Sequence, residues 1–214
     1  MLITFEGPEG CGKTTQIPAL AEWLRSEGFV VRTTREPGGT DIGDQVRSVL
    51  TSLGNTGMAP EAELFMFLSS RAQLVKEVIR PALASGEIVL CDRFKDATLA
   101  YQGYGHGLDL SFLRSLNDFA TGGLEPDLTV LMDLDPEVGI GRRRADGGEW
   151  NRLDAMMMDF HKRVASGYRK MAAEEPERWA VIDASRSFNE VGLALKELLE
   201  DRMIKVPYAE ALHC

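Results

Sequence analysis

Cysteine and histidine are scarce in this chain, with three residues of each. Cys11, Cys91 and Cys214 are odd in number and show no C-x-x-C spacing. That excludes a disulfide framework and a zinc site of that kind, and it suits the reducing cytoplasm. His106 and His213 have no partner pattern that suggests a metal, and His161 falls in an apolar helical stripe where packing is expected. No apolar run is long enough to span a bilayer, and no charged segment leads into a secretory h-region, so no membrane partner is expected. Positive charge is the minority sign. A formal net charge of −9 argues against a general nucleic-acid or membrane-surface binder. Internal repeats, low-complexity tracts and interdomain linkers are also missing.

What is present is ordinary for a folded chain. With 44% hydrophobic and 27% charged residues over 214 positions, one large domain with a substantial core is expected, and we read 1–214 as a single domain. Strand candidates are Leu2–Glu6, Val30–Arg35, Ile88–Asp92, Leu128–Asp133 and Ala180–Asp183. Helical periodicity fills the gaps at 13–26, 41–52, 60–84, 109–121, 136–145, 153–173 and 188–201. Most of the strands are short apolar runs, the pattern of strands covered on both faces. The alternation predicts an α/β fold with a central parallel sheet and helices on both faces. Ligands then bind at the carboxyl ends of the strands. Glu6-Gly7, Arg35-Glu36 and Asp92-Arg93 all fall there.

The stretch Gly7-Pro8-Glu9-Gly10-Cys11-Gly12-Lys13-Thr14 fits G-x-x-x-x-G-K-[ST], the phosphate-binding loop of P-loop NTPases. It stands between a strand and a helix, as that loop requires. Its glycines let backbone N–H groups wrap a phosphate chain at a helix N-terminus. Lys13 would reach the β- and γ-phosphates of ATP and Thr14 would hold Mg²⁺, with Thr15 beside them. Cys11 reads as a small space-filling residue. Glu9 is unusual next to polyphosphate and makes sense if it pairs with a cation or accepts from a sugar hydroxyl. Pro18 removes a backbone bond to Thr14, so some distortion of the first helix is expected.

Asp92 at the end of a buried strand matches the usual Walker-B position for Mg²⁺, and Arg93 beside it could clamp a phosphate. Arg35, in the glycine-containing strand-end loop Arg35-Glu36-Pro37-Gly38-Gly39-Thr40, suits a second anionic group, and Pro37 is taken with it as substrate-binding. Phe67 and Arg71 lie one helical turn apart, where a ring can stack on a base and an arginine can donate to a base carbonyl. Asp146-Gly147-Gly148-Glu149-Trp150-Asn151 reads as a flap, with Arg142, Arg143 and Arg144 before it and Arg152 after it. We take about 142–153 as a short lid and about 203–214 as a tail without functional signal.

Together these motifs closely resemble the thymidylate kinases. The resembling stretches are Phe5-Glu6-Gly7 through Thr15, Thr34 through Thr40, Phe67 through Arg71, Asp92-Arg93-Phe94 through Tyr101-Gln102-Gly103, and the arginine-rich lid up to Arg152-Leu153-Asp154. They run in the family's order from the N-terminus to about residue 170. The resemblance implies phosphoryl transfer from ATP to dTMP with Mg²⁺, in a homodimer. It implies that Arg93 binds the dTMP phosphate, Phe67 stacks on thymine and Arg71 donates to its O4. Thr98 and Gln102 would lie at the base edge, Tyr101 near the sugar C2′ and Glu9 near the 3′-hydroxyl. The P-loop lacks arginine, and similar family members deliver one from the lid. Arg152 is taken here as that catalytic arginine, with Arg142 to Arg144 near adenine or the ATP phosphates. The chain departs from the family's usual residues at Ala97, Cys11, Asn151 and Asp154. Alternatives are another P-loop nucleoside or nucleoside-monophosphate kinase, and a nucleotide-dependent switch, although no N-K-x-D segment for guanine is present.

Overall fold

The runs at 2–6, 88–92 and 128–133 are apolar apart from Thr4, Thr129 and the acidic residue that ends each, so these strands need cover on both faces, and they take the centre of the sheet. The computed structural model describes residues 1–145 and 150–204. Its sheet has the order β2-β3-β1-β4-β5, with every pairing parallel. The strands are β1 Leu2–Glu6, β2 Val31–Arg35, β3 Ile88–Asp92, β4 Leu128–Asp133 and β5 Trp179–Asp183. All of β1 is buried, and β3 and β4 are buried except at their last residue. The edge strands β2 and β5 are partly exposed. Parallel register brings the ends of β1 and β3 level, with Phe5 opposite Asp92.

The helices are α1 Lys13–Ser26, α2 Asp41–Thr51, α3 Pro60–Leu74, α4 Arg80–Ala84, α5 Lys95–Thr98, α6 Leu110–Thr121, α7 Pro136–Ala145, α8 Met158–Glu174 and α9 Phe188–Ile204. One core packs α1 and α9 through Ile17, Leu20, Leu24, Leu195 and Leu199 against Ile3, Phe5 and Val130. A second joins Leu64, Tyr101, Leu113, Phe160 and Tyr168, and a third gathers Leu2, Leu74, Ile79 and Val89. Cys11 and Cys91 are free and buried. None of the described helices is long and apolar enough to cross a membrane.

Several boundaries differ from the sequence expectation. The stretch 60–84 is helical but widens into a π-helical segment at Val75–Ile79. Pro81, which cannot donate to the carbonyl four residues back, follows directly. α1 runs unbroken through Pro18. The helix expected from residue 153 begins only at Met158, because the Asn151 side chain ties down the N–H groups of Leu153 and Asp154 in a turn. His161, Val164, Tyr168 and Met171 are buried along α8, whereas Met157 just before it is 79% exposed. Residues 95–105, outside the helical stretches expected from the sequence, form α5 and a π-helical segment at Leu99–Gly105. The centre of the expected flap (146–149) and the tail from 205 lie outside the described residues.

Candidate active site

The loop between β1 and α1 closes on itself through its lysine. Lys13 Nζ donates to the carbonyls of Gly7 and Pro8, each at 3.2 Å. Gly12, at φ 93°, is the left-handed N-cap of α1 and offers no side-chain cap, so the N–H groups of Lys13 and Thr14 stay available to an anion, while that of Thr15 donates to the Gly12 carbonyl at 3.2 Å. At Gly10 (φ 70°) the reason for glycine is tertiary. A Cβ there would lie 2.1 Å from the carbonyl oxygen of Gly139, and one on Gly139 would lie 2.1 Å from that of Glu9. The loop therefore rests backbone to backbone on α7.

A charged seam runs beside this loop. Arg93 Nη2 donates to Glu9 Oε1 at 2.9 Å, Arg93 Nη1 to the Gly7 carbonyl at 3.0 Å, and the Tyr101 hydroxyl to the same Glu9 oxygen at 2.7 Å. Burial alone would raise the Glu9 carboxyl, but the Arg93 and Lys13 charges and the Tyr101 hydroxyl outweigh it and bring it down to about 2. Burial likewise opposes the charge of Arg93, and Glu9 more than restores it, so the guanidinium stays charged. Arg93 sits over the Tyr101 ring at 4.9 Å from its centroid. It is also the one described non-glycine residue with positive φ, at 67°. Such a conformation costs on the order of 1–3 kcal/mol and persists where surroundings over-determine it.

Two cavities meet at the seam and share Glu9, Glu36, Arg47, Arg93 and Asn151. The first is nucleoside-like, with Phe67, Ala97, Thr98, Tyr101, Gln102 and Pro37 in its wall. The second is lined by the loop from Glu9 to Thr15 together with Arg35, Asp92 and Arg143. Asp92 and the exposed Thr14 both face it. Their carboxylate and hydroxyl oxygens are the hard donors that Mg²⁺ takes, with waters and phosphates completing its shell.

Four expected residues are placed elsewhere. Arg152, taken from the sequence as the catalytic arginine, is 4% exposed and lines neither cavity. Its Nε donates to the Leu50 carbonyl at 2.8 Å, its backbone N–H to that of Thr51 at 3.1 Å, and its Nη2 to Glu63 at 2.5 Å. Those partners pin it to the end of α2 and to α3. Arg143 is the lid arginine beside the loop. Its Nε and Nη2 form a two-point pair with Asp154, at 3.2 and 2.8 Å. Arg142 instead donates to the carbonyls of Ala184 and Ser185 after β5, and Arg144 lies over the Trp150 ring.

Arg71, expected at the base, lies behind the cavity wall at 1% exposure. Its guanidinium donates to Glu36 (2.8 Å), Thr98 Oγ1 (2.8 Å), Asn117 (2.6 Å) and the Phe94 carbonyl (3.0 Å). Those bonds engage all three nitrogens, so it supports Thr98 and Glu36, which do line the cavity.

Sequence reasoning missed Arg47, Glu63 and Gly139. Arg47 lines both cavities and donates to the Pro37 carbonyl at 3.1 Å. Glu63, 1% exposed, accepts from Gln102 at 2.6 Å as well as from Arg152. Both sit on helices where one charge among several gives no sign of its direction. A glycine inside a helix, as at Gly139, does hint at a close approach.

With this geometry in hand, comparison with known proteins is decisive. A family model described as thymidylate kinase matches residues 5–193. The chain belongs to the thymidylate kinase family. The "Thymidylate kinase" of Desulfovibrio desulfuricans is 52% identical over 206 residues, covering 94% of this chain and 95% of that protein. That of Roseiflexus sp. is 46% identical, covering 99% of each. The crystal structure of thymidylate kinase from Ehrlichia chaffeensis superposes with a TM-score of 0.77 at 36% identity, covering 93% of this chain and 98% of that one. The family match takes in the phosphate loop, the Glu9–Arg93 seam, both cavities and all four lid arginines.

Proposed function

We propose that this chain transfers the γ-phosphoryl group of ATP to dTMP, giving ADP and dTDP. The observation that carries this reading is the meeting of a phosphate-loop cavity and a nucleoside-like cavity at one partly buried Arg93–Glu9 pair. A nucleotide in each would bring its terminal phosphate to that seam. Membership of the thymidylate kinase family supports dTMP as the acceptor.

The acceptor is a phosphate oxygen of dTMP, so the reaction needs alignment and charge neutralisation more than a general base. That oxygen attacks the γ-phosphorus, the bond to the β–γ bridging oxygen breaks, and ADP leaves with that electron pair. Arg93 holds the acceptor phosphate, with Glu9 fixing one guanidinium nitrogen and reaching towards the sugar. Lys13 and the loop N–H groups hold the ATP phosphates. Arg143, oriented by Asp154, is the lid cation closest to the transferring group. Arg142 and Arg144 serve the adenine side, and Arg35 and Arg47 add positive charge around the phosphates. Phe67 stacks on thymine, Thr98 and Gln102 lie at the base edge, and Tyr101 crowds the sugar C2′. Thr14 and Asp92 would hold Mg²⁺, which when bound would supply positive charge to offset the negative charge of the phosphates.

The protein is read as one kinase domain with a lid over 142–153, working in the cytoplasm, in keeping with its free buried thiols. It is also read as a homodimer. Phe65 on α3 and Phe112 and Phe119 on the neighbouring α6 are 58%, 56% and 89% exposed, an apolar display that a second copy would cover.

The test is ADP formation against a panel of nucleoside monophosphates. dTMP is expected to lead, with dUMP active but poorer, since one methyl group is worth only about 1–3 kcal/mol. UMP and CMP should trail. Faster turnover of AMP or GMP than of dTMP would overturn the assignment.

A further inference from the structure

Glu6 ends β1, is fully buried, and has no part in the reaction derived above. Its two carboxylate oxygens face two different donors. Oε1 accepts from the backbone N–H of Phe94 at 2.8 Å, and Oε2 accepts from the Tyr168 hydroxyl at 2.7 Å. Both contacts lead to Arg93. The Phe94 N–H belongs to the peptide that directly follows the left-handed backbone of Arg93. The Tyr168 oxygen, also fully buried, accepts from Arg93 Nη1 at 3.1 Å. One carboxylate therefore fixes Arg93 at its main chain and, through tyrosine, at its guanidinium. Glu9 holds the other guanidinium nitrogen from the cavity side.

We propose that Glu6, acting through Tyr168, is a positioning residue that sets the direction in which Arg93 presents its guanidinium to the acceptor phosphate. The proposal rests on the reading of Arg93 as the ligand of that phosphate. A buried carboxylate is costly unless its oxygens are bonded, and here both bonds go to the surroundings of a single arginine. The parts come from β1, the turn after β3, and α8, so the arginine's direction depends on the assembled fold. A strand end that needed only filling would not require an acceptor for each donor.

The experiment compares steady-state kinetics of Tyr168→Phe and Glu6→Gln with the parent. It is run at pH 8, above the value of about 7 to which burial and the Asp96 charge raise the Glu6 carboxyl. Tyr168→Phe keeps the ring packed edge-on to Tyr101 and removes only the oxygen. The KM for dTMP should rise about tenfold, with the KM for ATP unchanged within about twofold. In an Arg93→Lys background, which has no second guanidinium nitrogen to hold, Tyr168→Phe should add less than about twofold. A rise below about threefold in the parent background overturns the proposal, as does a rise shared by ATP or an effect that multiplies with Arg93→Lys. Should one variant fail to fold, the other decides. A parent inactive on dTMP fails the functional reading and takes this proposal with it. An active parent with unmoved variants fails the proposal alone.

Discussion

Arg143 and Arg152 carry the same charge on either side of the expected flap, and their partners differ. Arg143 is a quarter exposed and faces the phosphate loop, and Asp154 holds it at two points while Asp154 itself is fully buried. Arg152 is tied to backbone carbonyls of α2 and to the buried Glu63. Arg143→Ala should lower kcat at least about tenfold, because a pre-aimed cation at developing charge is lost. Arg152→Ala should instead destabilise the fold by about 3–5 kcal/mol, the usual cost of leaving one partner of a buried pair alone. Urea unfolding and initial rates on both variants check this. The reverse pattern would return the catalytic role to Arg152. The positions of these arginines were plain in the sequence. Their directions were not, because Glu63 is 89 residues from Arg152 along the chain.

At the scale of elements, α7 acts as the floor of the phosphate loop. Its contact with the loop is made by backbone at Gly10 and Gly139, and a methyl group on either would meet a carbonyl oxygen at 2.1 Å. Gly139→Ala favours the isolated helix by about 1 kcal/mol, yet here it must push the loop away. We expect the KM for ATP to rise about tenfold or more while the KM for dTMP moves less, since only the loop shifts. Gly141→Ala is the control, with open space around its Cβ position. Equal effects of the two substitutions would show that the backbone contact is unimportant. Nothing local distinguishes Gly139 from Gly141, as both stand in the same helix two residues apart. The helical nature of 95–105 was hidden for a related reason. Its buried residues include Lys95, Asp96, Thr98, Tyr101 and Gln102, polar groups satisfied from other elements, so no apolar period marks it.

For the whole molecule, the open question of scale is the second copy. Phe119 is the most exposed large apolar side chain among the described residues. If α3 and α6 form the dimer face, Phe119→Asp buries a charge at that face and should shift the sedimenting species from dimer towards monomer. An unchanged dimer would place the interface elsewhere, and a monomeric parent would remove it. The fold itself was legible from the chain. Mostly apolar runs became the central strands β3, β1 and β4, the polar run Val31–Arg35 became the edge β2 while the apolar Trp179–Asp183 took the other edge, and the glycine spacing of 7–14 fell at the end of β1. Such features are local, since a run of side chains or a glycine spacing carries its meaning within a few residues. The sequence by itself thus determined the α/β architecture, the phosphate loop and the strand ends that carry charge. Only the tertiary structure decided that Arg143 lines the cavity beside the phosphate loop, that Arg71 stands behind Thr98, that Arg47 joins the site, and that Glu6 and Tyr168 grip Arg93. Each of those outcomes depends on which partner a buried polar group finds, and the partners arrive from distant parts of the chain.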